Sequence, residues 1–223
     1  MMSIYFLLYA LAHIALFGWA LRLFLQHRHP ATVPLLIVLF GLIYDNAVLA
    51  GGAWIGHGEV LERLSVPRFF MHAFGTPLLM LSALGLVRRS GADWARRGVV
   101  AGGLVALTLA MIAVGVEADL LRLDLVAKEQ AGVISYGNAS TAGPPIAPVA
   151  TIVVLIAAGM VVWRRNGGLW LLAGAVARFV AAAIGDAIVI AGNLGELALL
   201  AGLIVTDARL SNSLEPTLSS RPK

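Results

Sequence analysis

Seven runs of apolar residues divide the chain, separated by shorter polar stretches. They cover approximately 3–25, 32–54, 69–87, 98–118, 147–163, 168–190 and 194–208. A helix of about 20 residues rises about 30 Å, the thickness of a bilayer's hydrocarbon core. The pattern therefore predicts a membrane-spanning helix for each run. Gly192-Asn193-Leu194-Gly195 separates the last two, which would otherwise read as one long span. The first run lacks a basic leader and a small-residue cleavage site, so it reads as a retained helix and not as a signal peptide. Once the spans are removed, too little chain is left for a soluble domain. The expected fold is all-α, a polytopic membrane helix bundle of about seven transmembrane helices. It occupies residues 1–210 as one domain, and a short polar tail over 211–223 is expected to be disordered.

Two connectors carry patterns of their own. In the segment from Gly58 to Arg68, Val60, Leu61 and Leu64 fall at helical spacing before Pro67. This reads as a short helix lying in the membrane interface ahead of the third span. After the fourth span, Asp119 and Arg122 are three apart and Asp124 and Lys128 four apart, the spacings of helix-surface pairs. A charged helical extension is expected there. A stretch rich in Gly, Ser, Asn and Pro follows, from Gly132 to Pro148, and reads as a lid or a disordered loop. Asn138-Ala139-Ser140 matches a glycosylation sequon, a three-residue pattern common by chance.

Composition supports the membrane reading. Hydrophobic residues make up 60% of the chain and charged residues 13%, with a mean hydropathy of +0.89. Soluble domains carry nearer 25% charge. The net charge of +4 would suggest nucleic acid in a soluble protein, but here the basic residues cluster in short loops, so no nucleic-acid partner is expected. One side of the bundle would collect Arg22, Arg28, Arg88, Arg89, Arg96, Arg97, Arg164, Arg165, Arg209, Arg221 and Lys223. The other would hold only Arg63, Arg68, Arg122 and Lys128. The positive-inside rule then places the N-terminus outside and the C-terminus in the cytoplasm, in a bacterial inner (plasma) membrane. Cysteine is absent, which removes disulfides, thiolate metal sites and cysteine nucleophiles.

With that topology, the acidic side chains of the spans gather in the outer half, apart from Asp207. Asp45 and Asn46 lie in the middle to outer part of span two. Glu117 and Asp119 end span four, Asp186 lies near the outer end of span six, and Asn193 and Glu196 open span seven. A carboxylate in hydrocarbon costs several kcal/mol and usually marks a site facing the bundle interior. The pattern predicts an outward-opening polar pocket with Asp45 at its floor. Each residue also has a plainer role available. Asp45 can be the ion-pair partner of Arg178 or Arg68. Asn46 can bond across helices. Glu196, three residues after Asn193, has the spacing of a capping box. Asp186 and Arg178 can pair along one helix. Glu117 and Asp119 can simply be solvated, and His72 can be an interfacial hydrogen-bonding residue. His13 reads as packing. Tyr44, Trp54, Phe69, Phe70, Phe74 and Tyr136 form either an interfacial aromatic belt or a wall that attracts positive charge. Gly51, Gly52, Gly56, Gly102, Gly103, Gly174 and Gly185 would let helices approach closely.

Several chemistries lack their residues. No lysine lies in a span to form a retinal Schiff base, and no histidine-rich cluster is present for a di-iron site. There is no glycine-rich phosphate loop, no paired aspartates spaced for magnesium on a diphosphate, and no Gly-x-Ser-x-Gly elbow. No metal or cofactor is expected.

Tyr44-Asp45-Asn46, Gly51-Gly52-Ala53-Trp54-Ile55-Gly56 and Leu61-Glu62-Arg63-Leu64-Ser65-Val66-Pro67-Arg68-Phe69-Phe70-Met71-His72 together resemble the small integral-membrane terpene cyclases. That group includes fungal meroterpenoid cyclases and bacterial cyclases of indole sesquiterpenoids. The motif-level likeness covers residues 44–72, and the seven-span architecture covers nearly the whole chain. The resemblance implies acidic residues in an early and a late helix: Asp45 early, with Asp186 or Glu196 late. It also implies a lipophilic prenylated (farnesyl-type) substrate that is cyclised after protonation by a buried carboxylate, with Tyr44 or Asn46 orienting the proton of Asp45. Tyr44, Asn46, Trp54, Arg68, Phe69, His72, Glu117 and Arg178 would then line the substrate site. A proton-coupled transporter using Asp45, Arg178 and Asp186 as a relay is the competing reading, and a non-catalytic membrane subunit is another. The oligomeric state is left open.

Overall fold

The computed structural model describes residues 2–130, 132–140, 145–184 and 190–219, with side chains through Ser213. Asp186, Gly185, Pro144, Arg221 and Lys223 lie outside the described residues. Seven α-helices account for most of the chain: α1 (Ser3–His27), α2 (Thr32–Ile55), α3 (Glu59–Arg89), α4 (Gly98–Val116), α5 (Ile146–Asn166), α6 (Trp170–Ile184) and α7 (Ala191–Ser219). Five helical stretches are long and apolar enough to cross a membrane: α1, α2, α3, α5, and α4 with its continuation to Leu121. The last helix carries on past position 210. Ser211 is buried within it and accepts a hydrogen bond from Arg89 Nη1 at 3.1 Å.

The Gly58–Arg68 segment is not a separate interfacial helix. It forms the first third of α3, which runs 31 residues with Pro67 and Pro77 inside it. A proline inside a helix lacks the N–H that would bond four residues back. Pro77 thereby leaves the Ala73 carbonyl without its usual partner. Gly115 of α4 packs close to that backbone, where a Cβ would come within 3.0 Å of the Ala73 oxygen.

The stretch after α4 also differs from expectation. No charged helix continues beyond a wide π-helical turn over Glu117–Leu121. Instead, Leu125–Gln130 (β1) and Val133–Asn138 (β2) pair as an antiparallel hairpin, with Leu125 opposite Asn138 and Gln130 opposite Val133. The spacing of Asp124 and Lys128 suits a helix, but the alternation of Val133, Ile134, Tyr136 and their polar neighbours suits a half-buried strand. Asn138 ties the hairpin down. Its Oδ1 accepts from the amides of Asp124 and Ser140, each at 3.0 Å, and its amide donates to the Ala118 carbonyl. Its buried side chain is committed to the fold. Tyr136 is buried with Val48 and Leu61, and its hydroxyl accepts from the Gly58 amide at 3.1 Å. At Gly52, a Cβ would overlap the Ile134 carbonyl oxygen, so glycine is what lets the hairpin rest on α2.

The main core lies at the opposite, arginine-rich end and through the middle of the bundle. Leu35, Leu39, Met80, Leu155, Leu171, Leu200, Leu203 and Ile204 are all buried there. Glycine sets the spacing between α6 and α7: a Cβ at Gly174 would come 2.6 Å from the Ala198 carbonyl oxygen. Gly102 and Gly103 of α4 behave otherwise and have open space where a Cβ would go. At the arginine-rich end Arg89 pairs with the buried Asp207 at 2.5 Å, and Thr32 donates to Asp207 at 2.9 Å. Three helices, α2, α3 and α7, are thereby joined.

Candidate functional site

Helix geometry brings the candidate residues together. α2 and α3 are antiparallel and joined by a tight turn at residues 56–58, where Gly56 and Gly58 adopt the positive φ values of 77° and 142°. Asp45 lies ten residues before the end of α2, and Arg68 nine residues after the start of α3, so they meet at nearly the same depth. Arg68 Nε donates to Asp45 Oδ1 at 2.6 Å. His72, one turn further along α3, places Nε2 3.8 Å from the same oxygen. Arg68 Nη1 also donates to the Tyr136 carbonyl at 3.3 Å, which links the pair to the hairpin. The guanidinium lies 5.9 Å from the centre of the Phe69 ring.

Asp45 is 5% exposed and is fully partnered by a cation. Of the two ion-pair partners open to it from sequence, Arg68 is the one found. Arg178 is instead engaged with Glu196, its Nη2 donating to Oε1 at 3.2 Å. Glu196 therefore spends its carboxylate on α6 and not on a cap at the start of α7.

Tyr44, Asp45 and Asn46 do not act as one polar turn. Consecutive helix residues project about 100° apart, and these three point to three places. Tyr44 donates to the Leu64 carbonyl at 2.9 Å, and Asn46 donates to the Leu42 carbonyl at 2.9 Å. Neither orients a proton on Asp45. Trp54 is 83% exposed and lines neither of the two cavities beside Arg68 and His72.

Two adjoining cavities surround this cluster. The larger, about 560 Å³, lies at the hairpin end between α3, the π-helical turn and the start of α5. Its wall carries Arg68, Phe69, His72, Glu117, Asp119 and Arg122. Glu117 and Arg122 are paired at 2.5 Å. The smaller cavity, about 70 Å³, lies deeper between α2, α3, α5, α6 and α7. Val38, Leu42, Leu79, Leu199 and Leu200 make its walls apolar, and His72, Arg178 and Glu196 are the ionisable groups facing it. His72 and Pro148 line both spaces and so stand at the boundary between them. Asp45 lines neither; it sits behind Arg68 and His72.

The site is therefore a polar vestibule leading to an apolar chamber with an imidazole and a Glu–Arg pair on its wall. Thr76 and Thr151 add hydroxyls to that wall. Neither stands out in the sequence, because a threonine in a membrane span ordinarily bonds its own helix, as Thr151 does to the Ala147 carbonyl. Below the chamber, leucines of α2, α3 and α7 separate it from the Arg89–Asp207 cluster. No protein-family model matches the chain, and no curated protein matches it in sequence.

Proposed function

We propose that this protein is a membrane-embedded, cofactor-independent cyclase that isomerises a lipophilic prenyl-type substrate by proton transfer. The bundle would lie in a bacterial plasma membrane with its arginine-rich end in the cytoplasm. The observation that carries the reading is the apolar chamber, walled by leucines, with ionisable groups confined to one part of its surface. The vestibule, about 560 Å³, falls in the range of about 300–1,000 Å³ typical of small-molecule sites, and the chamber adds about 70 Å³ beside it, so a substrate would occupy both. Apolar walls keep water from a developing carbocation.

The geometry redistributes the roles that the sequence suggested. Glu196 is the chamber's own carboxyl, held by one 3.2 Å contact to Arg178; in this proposal the bound substrate parts it from Arg178, the carboxyl takes up a proton through the vestibule, and it then serves as the initiating acid. Its proton adds to an alkene carbon or epoxide oxygen of the substrate. Ring closure follows, and a proton leaves the final cation, so the mass is unchanged. His72 is the acceptor of that last proton. Asp45 and Arg68 are positioning residues: the carboxylate steadies the imidazole as it gains charge, and the guanidinium holds the carboxylate in place. A relay to the opposite face, as a transporter needs, has no support in the leucine layer below the chamber.

The test is to incubate membranes carrying the protein with farnesylated indole and related prenylated acceptors, and to search for isomers of unchanged mass. Glu196→Gln is expected to abolish turnover. His72→Ala should slow it by ~10²–10⁴-fold, the usual contribution of general acid–base catalysis. Absence of any isomer from a range of prenyl acceptors, with protein shown to be folded, sinks the proposal.

A further inference from the structure

The most unusual polar atoms of the bundle lie outside the site just described. His13 of α1 and Asn46 of α2 are both 0% exposed, and each keeps one side-chain atom without a hydrogen-bond partner: His13 Nε2 and Asn46 Oδ1. Buried polar atoms are nearly always satisfied, so two in neighbouring helices need a cause.

Their chemistry is fixed by the partners they do have. His13 Nδ1 stands 2.7 Å from the Tyr9 carbonyl oxygen. A carbonyl can only accept, so Nδ1 carries the hydrogen, and in the neutral ring Nε2 is a bare acceptor. Asn46 Nδ2 donates to the Leu42 carbonyl, and turning the amide over would set two oxygens against each other. Oδ1 is therefore an acceptor too. Two acceptors cannot satisfy one another. A water molecule, with two O–H donors, can satisfy both.

Position agrees with chemistry. α1 ends at His27 and α2 begins at Thr32, and the two helices pack antiparallel. His13 lies fourteen residues before the first of these and Asn46 fourteen after the second. At 1.5 Å per residue both are about 21 Å from the connecting loop, at one level of the bundle.

We propose that His13 and Asn46 hold one internal water molecule between α1 and α2. The water donates one hydrogen to Nε2 and the other to Oδ1, so both acceptors are satisfied without either side chain moving. This does not depend on the chain being a cyclase.

Histidine NMR on the full chain in lipid nanodiscs tests it. His13-Ile14 is the only His-Ile pair in the sequence, so paired isotopic labelling picks out His13 without a substitution. At pH 7.5 the expected result is an Nδ1–H tautomer, together with magnetisation transfer from water to the His13 ring. In Asn46→Leu the Nδ1–H signal should remain and the water transfer should be lost. Two results overturn the proposal. One is a proton on Nε2 of the wild-type ring, which would mean direct donation to Asn46. The other is an Nδ1–H tautomer with no water contact, which would mean an empty gap.

Discussion

The Asp45–Arg68 pair can be separated from its surroundings by a double-mutant cycle. Asp45→Asn leaves Arg68 with its bond to the Tyr136 carbonyl and some access to the vestibule, since the Arg68 side chain is 13% exposed. Arg68→Met leaves an 8% exposed carboxylate with His72 3.8 Å away as its remaining partner. Breaking a buried pair by removing one partner costs about 3–5 kcal/mol, whereas replacing both is often near neutral. Because the vestibule hydrates one side of the pair, each single change is expected near the lower end, at about 3 kcal/mol. For a chain of this size that lowers the melting temperature by roughly 6–12 °C. The double variant should cost less than either single one. Intrinsic fluorescence of the five tryptophans during heating in detergent provides the assay. If the double variant costs as much as the two singles combined, the side chains are not coupled, and the account of the pair as the joint between α2, α3 and the hairpin is wrong. If both singles cost under about 0.5 kcal/mol, the pair behaves as an exposed one and Asp45 is not buried as described.

Three further outcomes follow from packing and burial. Gly174→Ala should destabilise by about 1–3 kcal/mol, because the new methyl meets the Ala198 backbone, whereas Gly102→Ala should be neutral or stabilising by up to about 1 kcal/mol; melting curves of the two variants compare them directly. Gly52→Ala should loosen the hairpin from α2 without unfolding the bundle, seen as faster amide exchange across Leu125–Asn138 with little change elsewhere. His29, in the loop between α1 and α2, has its imidazole pushed below the ordinary value of 6.5 by burial, with Arg89 adding to the effect. The unfolded chain therefore binds this proton at higher pH than the folded one does. The contribution is fully present above about pH 6.5 and lost as pH falls through the lowered folded value. Stability measured from pH 8 to 5 should fall on the acid side, and should fall less in His29→Gln.

What the sequence could and could not disclose follows from the range of the forces involved. Apolar runs register directly in composition, so all seven helices were legible; most ends fall within a few residues, but α3 starts ten residues before its apolar run and α7 continues eleven past its own. Pro67 misled because a proline usually ends a helix; here α3 continues through it, and only the packed bundle decides that. Asp124 and Lys128 misled for the opposite reason: their spacing fits a helix face, but the hairpin is held by distant bonds from Asn138 and Tyr136, which no local window contains. Within the site, the charged residues were identifiable one by one from the cost of burying them, but their partners were not. Asp45 had two candidate cations, and the choice of Arg68 depends on α2 and α3 meeting at equal depth across a turn at 56–58. Arg178 had Asp186 eight residues away on its own helix, yet it reaches Glu196 across the α6–α7 interface. His13 is fully buried, as its reading as a packing residue expects, but a lone imidazole among apolar residues carries no sequence signal for the unpartnered nitrogen that the fold leaves on it. The general consequence is that in a membrane bundle the cost of a polar residue is readable from sequence, while its use depends on which neighbour the antiparallel geometry brings to the same depth. Counting residues outward from each turn pairs Asp45 with Arg68 and Arg178 with Glu196, and sets His13 level with Asn46. The count requires only the helix ends, which apolar runs mark to within about one helical turn at most termini but miss by ten residues at the start of α3. An error of one turn moves a side chain by about 5 Å along the axis, roughly the reach of an arginine, so the arithmetic ranks partners for the long side chains better than for Asn46.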